Sequence, residues 1–200
     1  LAPAGGGGVE ERLVHGETTN WGPSFSPDGQ LLLYEHSDPK TQYDLWILPL
    51  DGDRKPVPFL RTEFNESQGQ FSPDGRWVAY TSDESGQTEV YVRPFPGGEG
   101  KLRVSNDGGF YPRWRRDGKE MYYWSASGTL IAVPVKLGAA FEAGAPQSLF
   151  VLRFYVQGPV ANVYAYAVSA DGQRFLVNTY GSDPTLNVVS NWEKAAANAK

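Results

Sequence analysis

Four aspartates recur in one local setting: Asp28, Asp74, Asp117 and Asp171 each stand immediately before a glycine, at intervals of 46, 43 and 54 residues. Carboxylates are natural ligands for hard cations, so a recurring aspartate first raises a calcium or magnesium site. Ligands to one ion must converge, whereas these residues lie one repeat apart. A turn aspartate instead accepts a bond from its own backbone two residues on, and that reading is preferred. The oxygen-rich stretches "SDESGQTE" (82–89) and "SNDGG" (105–109) do not follow the EF-hand pattern and read as solvated loops. His15 and His36 are the only histidines and form no His-x-x-x-His pair, which leaves them loop or surface roles. No Gly-x-Ser-x-Gly elbow marks a nucleophile, and Gly5 to Gly8 lack the Lys-Ser/Thr of a phosphate loop. Glu10-Glu11 and Asp83-Glu84 have no apolar setting that would tune a general acid. The expectation is no catalytic residue, no metal and no cofactor.

The bulk of the chain narrows the class of element that carries these residues. Aromatic residues make up 14% of the 200 positions, and 23 glycines and 15 prolines accompany them. Strand formers mixed with turn formers point to an all-β chain. A net charge of −5 offers no electrostatic footprint for nucleic acid. No apolar run approaches the roughly 18 to 20 residues of a membrane span. The absence of cysteine removes disulfide and thiolate chemistry. The only methionine is Met121, so Leu1 is not a translational start, and "LAPAGGGG" (1–8) reads as a Gly-rich linker or a processed N-terminus.

Aligned on Asp-Gly, the chain shows four units. The residue three before each aspartate is Phe25, Phe71, Trp114 or Val168, always large and apolar, and the column of Phe25, Phe71 and Trp114 is expected to be buried between neighbouring units. After each glycine come "QLLLYEHS", "RWVAYTS", "KEMYYWS" and "QRFLVNT". Third runs follow, "DLWILPL", "EVYVRPF", "TLIAVPV" and "TLNVVSN", then weaker fourth runs "PVPFL", "KLRVS" and "QSLF". Proline fixes φ for a turn and glycine supplies φ > 0, so Ser-Pro-Asp-Gly between two apolar runs prescribes a hairpin. Four-stranded units of about 40 to 50 residues are the mark of β-propeller blades.

The units "FSPDGRWVAYTS" and "PRWRRDGKEMYYWS" resemble the WD-like propeller repeat of the TolB type, with its [FW]-S-P-D-G signature, over roughly residues 20 to 192. The order "YVRPFPG…KLRVSNDGG…PRWRRDGKEMYY" is also similar to C-terminal propeller regions of bacterial Ser/Thr kinases. The four units place a propeller at residues 9–192, with blades near 20–60, 66–105, 109–150 and 163–192, then a polar tail at 193–200, whereas the resembled family usually has six or more units. Four four-stranded antiparallel blades are expected. "VEERLVHG" (9–16) is expected to complete the last blade against "TLNVVSNW", within the chain or by donation to a neighbouring molecule. The resemblance also implies a placement outside the cytoplasm, periplasmic or secreted.

What remains for function is a surface. The segments entering the innermost strands carry Trp21, Glu66, Gln68, Tyr111 and Tyr164, an aromatic and polar mixture suited to recognition. The same side chains would equally plug the narrow channel of a small propeller. The sequence thus reads as a non-enzymatic interaction or sensor module with a protein or small-ligand partner, or with self-association. Two alternatives stand beside it: a subunit that assembles by N-terminal strand donation, and an accessory propeller of a larger kinase or hydrolase.

Overall fold

A computed structural model describes residues 11–14, 20–151, 166–179 and 185–190. The described residues hold sixteen β-strands and no helix, arranged as four antiparallel sheets in chain order. The first is β1 (Asn20–Phe25), β2 (Leu31–Asp38), β3 (Gln42–Pro49) and β4 (Val57–Leu60); the second is β5 (Glu66–Phe71), β6 (Trp77–Ser82), β7 (Glu89–Pro94) and β8 (Leu102–Arg103). The third contains β9 (Gly109–Trp114), β10 (Glu120–Ser125) and β11 (Thr129–Lys136), and β11 carries both β12 (Glu142–Ala143) and β13 (Gln147–Val151). The fourth is β14 (Tyr166–Val168), β15 (Arg174–Thr179) and β16 (Thr185–Ser190).

The Asp-Gly pairs at 28, 74, 117 and 171 each close the hairpin between the first two strands of their sheet. Gly29, Gly75, Gly118 and Gly172 have φ of 72°, 71°, 70° and 74°, a region costly to a residue with a Cβ. Their N–H groups donate to the carbonyls of Ser26, Ser72, Arg115 and Ser169. The aspartates do turn work as expected: Asp28, Asp74, Asp117 and Asp171 accept the N–H of Gln30, Arg76, Lys119 and Gln173. Ser26 and Ser169 add a hydroxyl donor to the aspartate at 2.5 Å, and Ser72 does so at 2.6 Å. In the third unit Arg115 takes the serine position and grips Asp117 at 2.7 and 2.8 Å.

Period-two alternation then sends each sheet's side chains to two neighbours. Leu33, Leu45 and Ile47 of the first sheet pack with Phe71, Val78 and Tyr80 of the second. Ala79, Val90 and Val92 meet Met121, Tyr123 and Val133 of the third. Tyr122, Trp124 and Leu130 meet Tyr166, Phe175 and Val177 of the fourth. In β6 and β10, the second strands of the two middle sheets, alternate residues therefore face the preceding and the following sheet.

Three expectations need correction. The third sheet has five strands and not four, because the eight-residue β11 is long enough to pair β12 near one end and β13 near the other; the fourth has three described strands. The closing strand is not found on the fourth sheet: residues 11–14 have no strand conformation. Leu13 and Val14 pack instead against Leu32, Tyr34, Leu48 and Leu50, the face of the first sheet turned away from the second. An Arg54–Glu11 ion pair of 2.6 Å fastens this segment there. An apolar pair gains more by covering an apolar face than by lying on an edge strand in water. Positions 9, 10, 15 and 16 of that expected strand lie outside the described residues. Last, the aromatic column is only partly buried. Phe71 is 7% exposed, but Phe25 is 51% exposed, because this column faces the preceding sheet and none of the described sheets precedes the first.

Candidate functional site

The innermost strands β1, β5, β9 and β14 are tied to one another by more than apolar contact. β5 and β9 each carry an irregularity opposite the second strand of their sheet, and at its centre Gln68 and Tyr111 take left-handed φ values of 57° and 55°. Such a backbone costs a non-glycine residue roughly 1–2 kcal/mol, so the surroundings must fix it. They do so through hydrogen bonds from neighbouring sheets. The Gln68 N–H donates to Glu35 Oε1 at 2.7 Å, and the Tyr111 N–H donates to Gln68 Oε1 at 2.5 Å. The Tyr166 hydroxyl then donates to the Tyr111 carbonyl at 3.0 Å. One chain of bonds passes from the first sheet through the second and third to the fourth. The Trp114 indole N–H adds a bond to Gln70 O at 3.2 Å, and the Phe71 N–H one to Ser24 Oγ at 3.3 Å.

Three of the expected site residues thus lie at the entry ends of inner strands, all buried. Gln68 and Tyr111 belong to this bonded belt. Glu66 sits beside it, 1% exposed, with Thr62 Oγ1 donating to its Oε1 and no partner on Oε2. Burial, with smaller contributions from the charges of Asp44 and Asp83, pushes the Glu66 carboxyl up to about 7. Asp44 is raised too, chiefly by burial, while Thr41 donates to its Oδ2 at 2.7 Å. Asp83 is occupied by Asn65, which donates through its backbone at 3.0 Å and its side-chain amide at 2.8 Å. No group of three or more histidine, aspartate or glutamate side chains able to hold a metal occurs among the described residues. Trp21 lies in β1, where its side chain is outside the description, and Tyr164 falls outside the described residues.

Among the described residues, clefts open at the opposite end of the inner strands, by the Asp-Gly turns. A cleft of about 410 Å³ is walled by Phe25, Phe71 and Trp114, with Arg113 and Arg116 on its rim. Its lining includes no carboxylate, in a chain of net charge −5. The sequence reading missed this pair of arginines. The only available signal was the run "PRWRRDG", which puts three arginines around the aromatic column.

No family model matches the chain. The protein is similar to "Tricorn protease homolog 1" of Streptomyces coelicolor, 33% identical over 108 residues, which is 54% of this chain and 9% of that protein. It is also similar to "Uncharacterized peptidase YuxL" of Bacillus subtilis, 30% identical over 106 residues, 50% of this chain and 16% of that one. The chain therefore spans a minor part of either relative's length. Among solved structures, TolB from Acinetobacter baumannii superimposes with a TM-score of 0.67 at 19% identity, over 89% of this chain and 42% of that one. The fold is a TolB-like β-propeller fold. The peptidase names overturn the expectation of a non-enzymatic interaction or sensor module. Repeat residues report the scaffold, and chemistry is added to a scaffold elsewhere, so the blade motifs carried no sign of it.

Proposed function

We propose that this chain is the propeller part of a larger peptidase-class hydrolase, and that peptide-bond hydrolysis is the activity of the whole protein to which the propeller contributes. The observation that carries this reading is the 33% identity over half of the chain with a protease homolog. Of the kinase and hydrolase settings implied by the blade motifs, the relatives' names favour the hydrolase. The hydrogen-bonded belt supports the reading from the side of geometry, because a part that presents substrate must hold its neighbours in fixed register. Placement outside the cytoplasm, expected from the TolB-like repeat, is retained; no helix among the described residues is long and apolar enough to cross a membrane.

The test is hydrolysis of a mixed set of fluorogenic peptides by the full-length natural protein that carries this chain. Cleavage is expected, with kcat/KM lowered by Phe71→Ala, which loosens the contact of the first and second sheets. A full-length protein that folds and yet cleaves no peptide overturns the proposal. Cell fractionation checks the placement.

A further inference from the structure

At their entry ends the second and third sheets meet around one carboxylate, Glu89 at the head of β7. It is fully buried, and its oxygens take donors from Gln87 and, in the approach to β9, from Ser105 and the Gly108 N–H. Glu89 pairs with Ser82 in the register, and Gly109 at the head of β9 pairs with Ser125. A Cβ at Gly109 would collide with Ser105. The same register puts Asp44, opposite His36, at the place of Glu89 in the first sheet, and Glu66, opposite Ser82, at the place of Gly109 in the second. The first junction therefore buries two carboxyl groups where the second buries one and a glycine.

The donors do not double with the acids. Thr62, at the place of Ser105, donates to Glu66, and the Asn65 N–H, at the place of the Gly108 N–H, goes to Asp83 at 3.0 Å. Asp44 keeps Thr41 on Oδ2, while the Arg61 Nε lies 3.7 Å from that oxygen and the Arg61 Nη2 is engaged by Asp38 at 2.8 Å. Asp44 Oδ1 and Glu66 Oε2 have no partner among the described residues, in side chains of residues 0% and 1% exposed. The other titratable groups facing the pair are Asp83 and Tyr80 toward Glu66, and Asp38 and His36 toward Asp44. On the remaining neighbours of β5, Glu35 of β2 accepts the Gln68 N–H, and Tyr111 of β9 lies toward Glu35. Two buried negative charges with orphaned oxygens repel and are poorly solvated. A carboxylic acid removes one charge and brings an O–H donor of its own.

We propose that Asp44 and Glu66 together hold one proton that latches the first sheet to the second, and that its loss to solvent as pH rises loosens this junction while the others stay closed. This device goes beyond the peptidase reading and does not depend on it. Burial, opposed by the Thr62 bonds and helped by the charges of Asp44 and Asp83, raises the Glu66 carboxyl to about 7, so release falls near neutrality. A folded-state value above the unfolded one means that the latch is closed below the transition and opens above it.

Amide exchange of the 200-residue chain, followed by mass spectrometry from pH 5.5 to 8.5 and corrected for the ordinary rise of exchange with pH, tests this directly. Protection of residues 61–72 and 42–50 is expected to fall roughly tenfold for each pH unit above about 7, the slope of one released proton. Protection of β10, at the junction of the third and fourth sheets, is expected to stay constant. Glu66→Gln should make residues 61–72 insensitive to pH. Asp44→Asn, which removes the repelling charge, should move the transition to lower pH, and Thr62→Val, which removes a bond to the ionised form, should move it to higher pH. In the parent chain the ¹³C resonance of the Glu66 carboxyl should titrate near 7. Protection of residues 61–72 that is constant with pH, a loss shared equally by β10, an upward shift in Asp44→Asn, or a Glu66 carboxyl titrating in the usual carboxylate range overturns the inference.

Discussion

Glu66 and Gln68 lie two residues apart and behave in opposite ways. Gln68 has its side-chain carbonyl and its N–H both engaged, whereas Glu66 keeps one buried oxygen without a partner. The carboxyl of Glu66, raised to about 7, is neutral in the folded chain at pH values where an unfolded one is ionised. Its contribution to stability is therefore complete below about pH 4.5 and is lost as pH rises through about 7. Urea midpoints measured across this interval should fall with rising pH, and Glu66→Gln should flatten the slope. Gln68→Ala is expected to cost about 1–3 kcal/mol, since it strands the buried Tyr111 N–H. Gln68→Gly should be less damaging by roughly 1 kcal/mol, because glycine relieves the left-handed backbone while losing the same acceptor. Denaturant titrations of the two variants separate the bond from the strain. None of this was legible in the sequence: a left-handed glutamine or tyrosine has no local signature, and its acceptor comes from another sheet.

At the scale of the element, the hairpins were legible because everything that makes them lies within a few residues. Serine, proline, aspartate and glycine close the turn by their own bonds, and the aspartate's engagement with Ser26 and Gln30 keeps the Asp28 carboxyl below the usual carboxylate range. The turns are not equivalent in cost, however. A Cβ at Gly29 would meet nothing, so Gly29→Ala should cost only the backbone term of roughly 1 kcal/mol. A Cβ at Gly172 would come within 2.5 Å of the Tyr122 hydroxyl and 2.7 Å of Arg115 Cδ. Gly172→Ala should therefore be the more destabilising, by thermal melting, and should disturb the contact of the third and fourth sheets. The extra strand on β11 was hidden because two short runs compete for one long partner, a matter of length that composition does not express.

Across the whole molecule, burial depends on which neighbours a sheet has, and that decides a pair of matched substitutions. Phe71→Ala empties a site between the first two sheets and should cost roughly 3–5 kcal/mol. Phe25→Ala, the same change in the same column, should stay within about 0.5 kcal/mol in chemical denaturation. The sequence presents these phenylalanines as equals; only the stacking order separates them. The same order explains Leu176, 39% exposed on the face of the fourth sheet turned away from the third. The misplacement of residues 11–14 has a related cause, for an apolar pair in a charged segment gives no indication of which sheet it will cover.

Every described ladder joins strands of one sheet, and all but one join strands consecutive in the chain, the exception being β11 with β13. Entropy lost in closing loops is therefore small for each pairing, and nothing obliges the first and last strands to find each other before the middle can form. Assembly can begin at any pair of adjacent sheets and spread outward, as in a linear array. Amide exchange should then be slowest in β6 and β10, which have a sheet on either side, and faster in β2 and β15.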